Sequence, residues 1–268
     1  MRKLINNKFT VLGVLLLFTV FIFYGCSNNK ENTSSNFSYD KIVVGLDDTF
    51  APMGFRDEQG NLTGVDVELA NAVSEEMGIP FEFQPIDWSM KETELQNKSV
   101  DLLWNGYSIN EQRKKIVNFS NPYLENKQVI ITLADSDINS ISDLSNKIVA
   151  VQDMSSAIDA IENNKEVKES FKELITFETN DQCLRDLEAG RSDAVVADEV
   201  LVKYYISQKD SKKYKILDEN FGDEEYGIGV RKEDTELLNS LNNAMNVIKE
   251  KGITKQISEK WFGDDIIK

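Results

Sequence analysis

The chain contains no histidine, although it is 268 residues long. Histidine is the side chain that most often acts as a general base near neutral pH, and it is a common ligand of protein-bound metals. Its absence excludes Ser-His and Cys-His catalysis as well as histidine-bound zinc. Hydrophobic residues make up 41% of the chain and charged residues 28%, which is the composition of a globular protein with a core.

Acidic residues are absent from the first 25 positions, which carry three positive charges at Arg2, Lys3 and Lys8. The formal net charge of the whole chain is −16, so removal of this segment would leave about −19 (−16 minus 3). Such an acidic surface repels phosphate backbones. We therefore expect no nucleic-acid partner.

Cysteine is nearly absent as well, with two residues in the chain. The first, Cys26, follows a basic start and an uncharged, mostly apolar run over residues 9–25, which is the layout of a secretory signal peptide. Gly25 and Cys26 resemble the lipobox of bacterial lipoproteins, in which the cysteine is acylated and becomes the new N-terminus. Phe23 and Tyr24 depart from the usual lipobox residues. The alternative is an uncleaved membrane anchor with an incidental cysteine, because the run is close to the shortest length of a membrane span.

This interpretation makes residues 1–25 a signal peptide and residues 26–37 a lipidated, flexible tether. A palmitate-type chain on Cys26 would hold the protein at the cell membrane, on its extracytoplasmic face. An acylated Cys26 cannot form a disulfide, so Cys183 would be a lone thiol packed as a small hydrophobe on a helix face.

Short apolar runs alternate with helical patterns from residue 41 onward. Apolar spacing predicts a helix from Val65 to Met77 that ends at Gly78. Strands that alternate with helices predict an α/β fold with parallel sheets covered on both faces. The predicted strands are 41–45, 81–84, 100–104, 129–132, 147–151, 175–177, 193–197 and 226–230, and the further predicted helices are 181–189, 199–207 and 235–251.

Two charged residues stand where α/β folds bind ligands. Arg113 follows the predicted strand 100–104, and Asp198 comes directly after the strand 193–197, at its carboxyl end. An arginine can hold a carboxylate with two parallel hydrogen bonds, and a carboxylate can hold an ammonium group. Taken singly, Arg113 is more often a solvated surface residue and Asp198 more often an N-cap of the next helix.

A hydroxyl pair and two aromatic residues are further candidates. Ser155 and Ser156 would begin a helix whose free N–H groups can hold an anion, with ordinary capping as an equal alternative. Phe50 and Trp88 can form the apolar walls that small-molecule sites need, although a single aromatic residue is usually part of the core.

Six segments follow one another with a recognisable spacing: residues 44–55 (VGLDDTFAPMGF), 64–70 (GVDVELA), 101–113 (DLLWNGYSINEQR), 119–123 (FSNPY), 193–198 (DAVVAD) and 260–263 (KWFG). Together they cover nearly all of residues 41–263 and resemble the family-3 solute-binding proteins of amino-acid ABC transporters. The resemblance implies a two-lobed, periplasmic-binding-protein-like (type II) clamshell with two hinge strands and the ligand between the lobes. It implies no cofactor, no metal and no catalytic residue.

The extended segments near residues 126–131 and 225–230 are candidate crossings between the two lobes. The first lobe would then be discontinuous, with residues 38–127 plus 229–268. The second lobe would comprise residues 128–228 and include the hinge strands.

The resemblance also assigns roles at the two ends of the ligand. Arg113 would hold the α-carboxylate together with the backbone and hydroxyl of Ser156. Asp198 would take the α-ammonium, assisted by Ser108 and by the backbone near Asn105 and Gly106. The anchors would come from different lobes, so the ligand itself would complete the bridge between them.

The side-chain pocket is less well determined. Phe50 and Trp88 would flank the ligand side chain, and Asp47 would lie nearby at the rim of the first lobe. Aromatic and polar wall residues favour a polar or sulfur-containing ligand such as cystine. No spare cation is matched to a second carboxylate, which disfavours aspartate and glutamate.

Two other functions share these residues. A few relatives on this fold are dehydratases, which need an additional general acid or base such as Asp47. A ligand-sensing or adhesive surface lipoprotein would use every residue of the same site. We expect instead a monomer, not an enzyme, that captures a free amino acid and passes it to the membrane permease of an ABC importer.

Overall fold

The computed structural model of the protein describes residues 39–268. The predicted signal peptide, Cys26 and tether lie outside the described residues. The described strands are β1 (Ile42–Leu46), β2 (Thr49–Phe50), β3 (Gly54–Arg56), β4 (Leu62–Thr63), β5 (Phe81–Pro85), β6 (Leu102–Leu103), β7 (Asn118–Phe119), β8 (Leu124–Leu133), β9 (Ile148–Gln152), β10 (Glu173–Phe177), β11 (Ala194–Asp198), β12 (Tyr214–Tyr226) and β13 (Gly229–Val230).

Helices separate most of these strands, as the apolar spacing predicts. At the end of the first helix, Gly78 adopts a φ of 66°, and its N–H bonds to the carbonyls of Ser74 and Glu75, so the predicted helix stop is confirmed. The described α-helices are α1 (Val65–Met77), α2 (Lys91–Gln96), α3 (Arg113–Ile116), α4 (Ser156–Glu162), α5 (Lys165–Ser170), α6 (Asn180–Glu188), α7 (Glu199–Ser207), α8 (Thr235–Glu250) and α9 (Ile253–Phe262), with short 3-10 turns at Trp88–Met90, Ile141–Leu144 and Ser211–Lys213.

Two five-stranded sheets share one plan, and together they form the two lobes of an α/β fold. The first sheet has the order β5-β1-β6-β13-β7 and the second has the order β10-β9-β11-β8-β12. In each sheet the first three strands are parallel, and the fourth is antiparallel to both of its neighbours. A third, small antiparallel sheet contains β2, β3 and β4.

The prediction of wholly parallel sheets is therefore wrong. The N-terminal part of the fourth strand lies beside the carboxyl end of the third strand in each sheet. Gln128 in β8 pairs with Asp198 at the end of β11, and Gly229 in β13 pairs with Leu103 at the end of β6. A chain that crosses between the lobes at that end must run back along the sheet, and it is antiparallel for this reason.

The chain changes sheets twice, at two neighbouring connections. It leaves the first sheet after Phe119 and enters the second at Leu124, and it returns between Tyr226 and Gly229. The predicted single strand over residues 226–230 is wrong, because Tyr226 ends β12 and Gly229 begins a strand of the other sheet. Leu124 pairs with Tyr226, so the two connections run side by side.

The C-terminal helices complete the first lobe although they come last in the chain. Both α8 and α9 pack against α1, and Leu237, Leu241 and Ile248 form one buried face of α8. In the second lobe, Cys183 is a buried free thiol on α6, as predicted, and burial raises the pKa of this thiol to about 12.

Arg231, directly after β13, ties the returning chain to the first sheet. Its guanidinium nitrogens lie 2.8 Å from Asp101 Oδ1 and 2.6 Å from Asp234 Oδ2. Nη1 also donates to the carbonyls of Leu95 (3.2 Å) and Val100 (2.7 Å). The side chain is only 6% exposed. Removal of one member of such a buried network leaves the remaining charges without compensation.

The turn after β6 brings the backbone close to two aromatic rings at Gly106. Its φ is 56°, and its N–H donates to Asp66 Oδ2 at 2.7 Å. Burial raises the pKa of that carboxyl to about 7. A Cβ at Gly106 would lie 2.8 Å from Phe50 Cε1 and 3.2 Å from Tyr226 Cε2. Both the backbone conformation and the available space therefore favour glycine.

We expect Arg231→Ala to lower the free energy of unfolding by about 3–5 kcal/mol, because Asp101 and Asp234 would lose their counterion while still largely buried. Urea denaturation measures this loss. Arg185→Ala is the control, because the Arg185 side chain is 72% exposed in its ion pair with Asp181, and it should cost about 1 kcal/mol or less. Equal losses in the two variants would contradict the structural role of Arg231.

Gly106→Ala should lower the free energy of unfolding by about 2–4 kcal/mol, because steric overlap adds to left-handed backbone strain. The matched control is Gly78→Ala, which has a similar φ but no atom within 4 Å of the new Cβ. That control should cost only about 1 kcal/mol. If denaturation curves gave the same loss for both, the contact with Phe50 and Tyr226 would not matter.

Candidate ligand-binding cleft

A small cavity lies between the two lobes at the carboxyl ends of β6, β9 and β11, which is where α/β sheets bind ligands. Seven of the nine ligand-binding residues predicted from the sequence line this one cavity. Its lining consists of Phe50, Trp88, Asn105, Gly106 and Arg113 from the first lobe, and of Gln152, Ser155, Ser156 and Asp198 from the second.

Arg113 begins α3 on the first-lobe wall and is only 5% exposed. Its guanidinium lies over the Tyr107 ring, 4.7 Å from the centroid, and Nη1 donates to the Ser108 carbonyl at 3.0 Å. Across residues 39–268, no carboxylate forms an ion pair with it. A buried guanidinium that contacts only neutral groups is not a solvated surface residue, so that alternative is excluded.

Asp198 ends β11 on the opposite wall and is also only 5% exposed. Its Oδ1 accepts from Gln128 Nε2 at 3.0 Å, and its Oδ2 accepts from Asn126 Nδ2 at 2.9 Å and from the Tyr226 hydroxyl. The residue occupies the N-cap position of α7, yet its side chain caps no backbone N–H. The N-cap alternative is therefore excluded for this carboxyl group.

Glu224, in β12, lies beside Asp198 and was not identified from the sequence. Its Oε1 accepts from Ser108 Oγ at 2.9 Å, from Asn126 Nδ2 at 2.6 Å and from Gln128 Nε2 at 2.8 Å. Burial, followed by the negative charge of Glu224, raises the pKa of Asp198 to about 7. Two carboxyl groups thus share the same amide donors at this wall.

Only a weak signal in the sequence points to Glu224. It belongs to the acidic run 223–225, a pattern that is typical of a solvated surface. The sequence also predicts no strand for the residues of β12 that precede Tyr226. Once β12 is known to be a strand, the alternation of side chains places Glu224 and Tyr226 on one face. That period-2 spacing is the signal that could have revealed it.

The sequence suggests that Asp47 lies at the rim of the first lobe, but the structure places it behind the first-lobe wall. It is 6% exposed, and its backbone N–H donates to Asn105 Oδ1 at 3.0 Å, which holds it inward. Gln152 Nε2 donates to Asp47 Oδ2 at 2.7 Å, and Thr49 donates to Oδ1 through its N–H and its hydroxyl. Burial is the largest cause that raises the pKa of Asp47. The carboxyl group therefore supports the wall residue Gln152.

Ser108 also lies behind the wall, where it joins the two lobes. Its Oγ donates to Ser156 Oγ at 3.0 Å, and Gln128 Nε2 donates to the same Ser156 oxygen at 3.1 Å. Further direct contacts between the lobes connect Asp47 with Gln152, Asn110 Nδ2 with Asp159 Oδ2 (2.9 Å), and Lys91 Nζ with the Met154 carbonyl (2.9 Å). The lobes therefore touch each other around the cavity.

The aromatic residues Phe50 and Trp88 are both buried and both line the cavity. Trp88 packs edge to face against Tyr107, with ring centroids 5.8 Å apart. Lys91, which the sequence did not single out, places Nζ 5.3 Å from the Trp88 ring centroid. Burial, followed by the positive charge of Arg113, lowers the pKa of Lys91 to about 8. Phe50 and Trp88 are therefore both core residues and wall residues of the cavity.

Comparison with known proteins gives a consistent result. The sequence profile of the bacterial extracellular solute-binding proteins, family 3, matches residues 42–264. The L-cystine-binding protein TcyJ of Escherichia coli (strain K12) is 28% identical over 229 residues, which are 85% of this chain and 84% of that protein.

Solved structures resemble the whole described fold. An ABC uptake transporter substrate binding protein from Streptococcus pneumoniae, crystallised with bound histidine, is 38% identical, with a TM-score of 0.83 over 85% of this chain and 94% of that chain. The ancestral amino-acid-binding protein AncCDT-1, a precursor of cyclohexadienyl dehydratase, is 33% identical, with a TM-score of 0.76 over 83% of this chain and 96% of that chain.

The family is extracellular, which places the protein outside the cytoplasm. No helix within residues 39–268 has the length and apolar character needed to cross a membrane. The profile match extends from β1 to the residues just after α9 and so includes both lobes and the cleft between them. On this evidence the chain belongs to the bacterial extracellular solute-binding proteins, family 3.

Proposed function

We propose that the protein captures one free amino acid between its lobes and delivers it to the membrane permease of an ABC importer. One observation carries this proposal: Arg113 and Asp198 are buried on opposite walls of one cavity, and neither has an ion-pair partner in the described part of the chain. A buried charge is costly unless it is paired. A zwitterion provides a carboxylate for the first residue and an ammonium group for the second.

In this proposal, Arg113 holds the α-carboxylate together with the backbone and hydroxyl of Ser156. Asp198 holds the α-ammonium, assisted by Ser108 and by the backbone near Asn105 and Gly106. The two anchors belong to different lobes, so a bound amino acid contacts both of them only when the lobes are close together. Binding then favours the closed arrangement by its differential contacts.

The proposed lobes are residues 38–127 plus 229–268 and residues 128–228, with the crossing strands as hinges. Support comes from the sheets, because the chain changes sheet close to both boundaries. The two connections lie side by side, so that a bend in both at the same level would change the angle between the lobes and leave each sheet intact.

A polar or sulfur-containing amino acid such as cystine is the ligand we propose. Phe50 and Trp88 provide apolar surface, whereas Asn105 Nδ2 and Ser155 Oγ are buried and have no hydrogen-bond partner within residues 39–268. Such atoms are available to a polar ligand side chain. TcyJ, named for cystine, supports this choice, and the histidine in the pneumococcal structure makes a cationic amino acid the second candidate. The described lining contains one cation, Arg113, which disfavours aspartate and glutamate.

A dehydratase activity is the first alternative, and the relationship to the ancestral precursor AncCDT-1 keeps it under consideration. That chemistry needs a general acid or base beside the substrate. Asp47, the sequence candidate for this role, lies behind the wall and is bonded to Thr49 and Gln152. Incubation with prephenate-like acids tests this alternative, because a genuine rate of turnover would overturn the binding-protein proposal.

A sensing or adhesive surface protein is the second alternative. It would bind the same ligand with the same residues and differ only in the partner that recognises the closed form. Uptake of labelled amino acid by cells that lack the protein separates the two functions: a transport receptor is required for uptake, whereas a sensor is not.

We also propose that the mature protein is a monomeric lipoprotein. Its acylated Cys26 would anchor it to the extracytoplasmic face of the cell membrane, and residues 26–37 would act as the tether. The basic start, the apolar run over residues 9–25 and the Gly25-Cys26 pair support this proposal.

A thermal-shift screen of the twenty amino acids and cystine tests the proposed function, because a ligand that binds the folded state raises the melting temperature by mass action. We expect a rise with one amino acid or a small group of them. Arg113→Ala and Asp198→Ala should each weaken binding of that amino acid by about 2 kcal/mol or more, roughly 30-fold, while the fold persists.

Calorimetric titration measures these affinities, and circular dichroism checks the fold. Arg185→Ala is the control, because this exposed arginine lies on α6, away from the cavity lining, and it should bind as the wild type does. Affinity within a few-fold of wild type in Arg113→Ala would refute the carboxylate role. A screen without any shift would refute amino-acid binding itself.

Cys26→Ser should abolish labelling of the protein with a palmitate analogue and should move it from the membrane fraction to the soluble fraction, because a diacylated Cys26 provides the proposed anchor. The matched control is Cys183→Ser, which alters a thiol buried on α6. That variant should keep both the label and the membrane association. Label that persists in Cys26→Ser would show that this cysteine is not the acylation site.

A further inference from the structure

Two carboxyl groups stand side by side in the second lobe: that of Asp198, which lines the cleft, and that of Glu224, which lines a neighbouring open hollow. Asn126 Nδ2 donates to both of them, at 2.9 Å to Asp198 Oδ2 and at 2.6 Å to Glu224 Oε1. Gln128 Nε2 also donates to both, at 3.0 Å to Asp198 Oδ1 and at 2.8 Å to Glu224 Oε1. Two amide groups on one strand thus hold two acids together.

The partners of this pair are neutral on every element that packs against it. Gln128 and Asn126 come from β8, Tyr226 comes from β12 and donates its hydroxyl to Asp198, and Ser108 precedes α3. Ser156, at the start of α4, lies 3.5 Å from Glu224 Oε1.

On the outer side of Glu224, an open hollow is lined by three lysines, Lys127, Lys203 and Lys268, each of which pairs with another carboxylate. Lys127 pairs with Asp223 at 3.7 Å, and Lys203 pairs with Glu199 at 2.8 Å. Within residues 39–268, neither Asp198 nor Glu224 forms an ion pair with any cation. In this part of the chain the pair therefore has no counterion: Asp198 is buried, whereas Glu224 is half-buried and borders the open hollow.

Asp198 does not stay fully ionised in such a place, because burial penalises its charge and the neighbouring carboxylate of Glu224 repels it. Burial and the charge of Glu224 raise the pKa of Asp198 to about 7. At a pH of about 7, Asp198 is thus protonated in about half of the molecules. An arriving ammonium group supplies the missing positive charge.

Resting on the proposed function, we infer that Glu224 is the second carboxylate of the ammonium subsite. The ammonium group of the bound amino acid is held by Asp198, which lines the cleft, and the adjacent negative charge of Glu224 strengthens this hold. The ligand displaces to solvent the proton that Asp198 carries in part of the empty molecules. Glu224 is thereby a positioning residue on the strand that returns to the first lobe. The proton lost from the pair appears in the buffer, so charge and protons balance.

This inference fixes the sign of the pH dependence. Below a pH of about 7 Asp198 is mostly protonated, and the ligand must compete with a proton, so affinity falls as the pH decreases. Above that pH Asp198 is ionised before the ligand arrives, and its contribution to affinity no longer varies with pH. The negative charge of the protein surface would not by itself cause a proton to be released when a ligand binds in the cleft.

Calorimetry in two buffers of different ionisation enthalpy measures the proton release directly. The probe is the amino acid that gives the largest shift in the thermal screen, titrated into the protein at pH 6.5. We expect the wild type to release about half a proton or more per ligand bound. Glu224→Gln keeps the acceptor oxygen for Ser108, Asn126 and Gln128 but removes the charge. It should release less than half of the wild-type amount and show a smaller loss of affinity between pH 8 and pH 6.

Glu225→Gln is the matched control, because it removes the same charge from the neighbouring residue of β12, whose partner is Lys268. It should behave as the wild type does in both measurements. Equal proton release from the wild type, Glu224→Gln and Glu225→Gln would overturn the inference, whatever the affinities are.

A second measurement needs no ligand. Carbon-13 NMR follows the side-chain carboxyl signal of Asp198, assigned by its loss in Asp198→Asn, during a pH titration of the empty protein. In Glu224→Gln its midpoint should fall by about one pH unit or more relative to Glu225→Gln. An unchanged midpoint would overturn the inference even if every amino acid in the screen failed to bind, which would be the separate failure of the proposed function.

Discussion

The structure depends on two buried charges of opposite sign that residues 39–268 leave without an ion-pair partner. The guanidinium of Arg113 rests on the ring of Tyr107 and donates to backbone carbonyls, whereas the carboxyl group of Asp198 is held by Asn126 and Gln128. Ring faces, carbonyls and amides orient a charge but do not neutralise it. Each lobe thus presents a charge in the same cavity, and a small zwitterion is the complementary partner for the two charges.

The crossing strands serve the connection and the cleft at once. In the second sheet, β8 and β12 pair along their length and provide Asn126, Gln128, Glu224 and Tyr226 around Asp198. Tyr226 is both the last residue before the chain returns to the first sheet and a hydrogen-bond donor to Asp198. One hydrogen bond therefore connects the charge of Asp198 directly to the point where the chain crosses between the lobes.

Direct contacts between the lobes also influence closure. Gln152 reaches across to Asp47, and Lys91 donates to the Met154 carbonyl, so the closed arrangement has hydrogen bonds that need no ligand. Because of these bonds, an amino acid must supply less differential binding energy to shift the equilibrium toward the closed form. They also explain why Asp47 is not a free acid in the cleft: its lone pairs are occupied by the groups that hold the wall together.

The amino-acid sequence alone determined the local elements and the identity of most residues around the cleft. The spacing of Val65, Leu69 and Val73, with Gly78 as the stop, defines α1 because helix periodicity and a left-handed cap are local properties. The motifs around Arg113 and Asp198 likewise indicated a two-lobed binding protein, because their order and spacing follow the chain.

Only the tertiary structure decided which polar groups meet. Asp198 could equally have capped α7, and Asp47 could have faced solvent; the choice depends on Asn126, Gln128 and Gln152, which are distant in sequence. Glu224 looked like one of three solvated acids until its pairing in β12 set the face on which it lies. The antiparallel fourth strands were equally hidden, because strand direction follows from the end at which a chain enters a sheet. Charge pairing and strand direction are long-range properties, and for that reason no local pattern of residues specifies them.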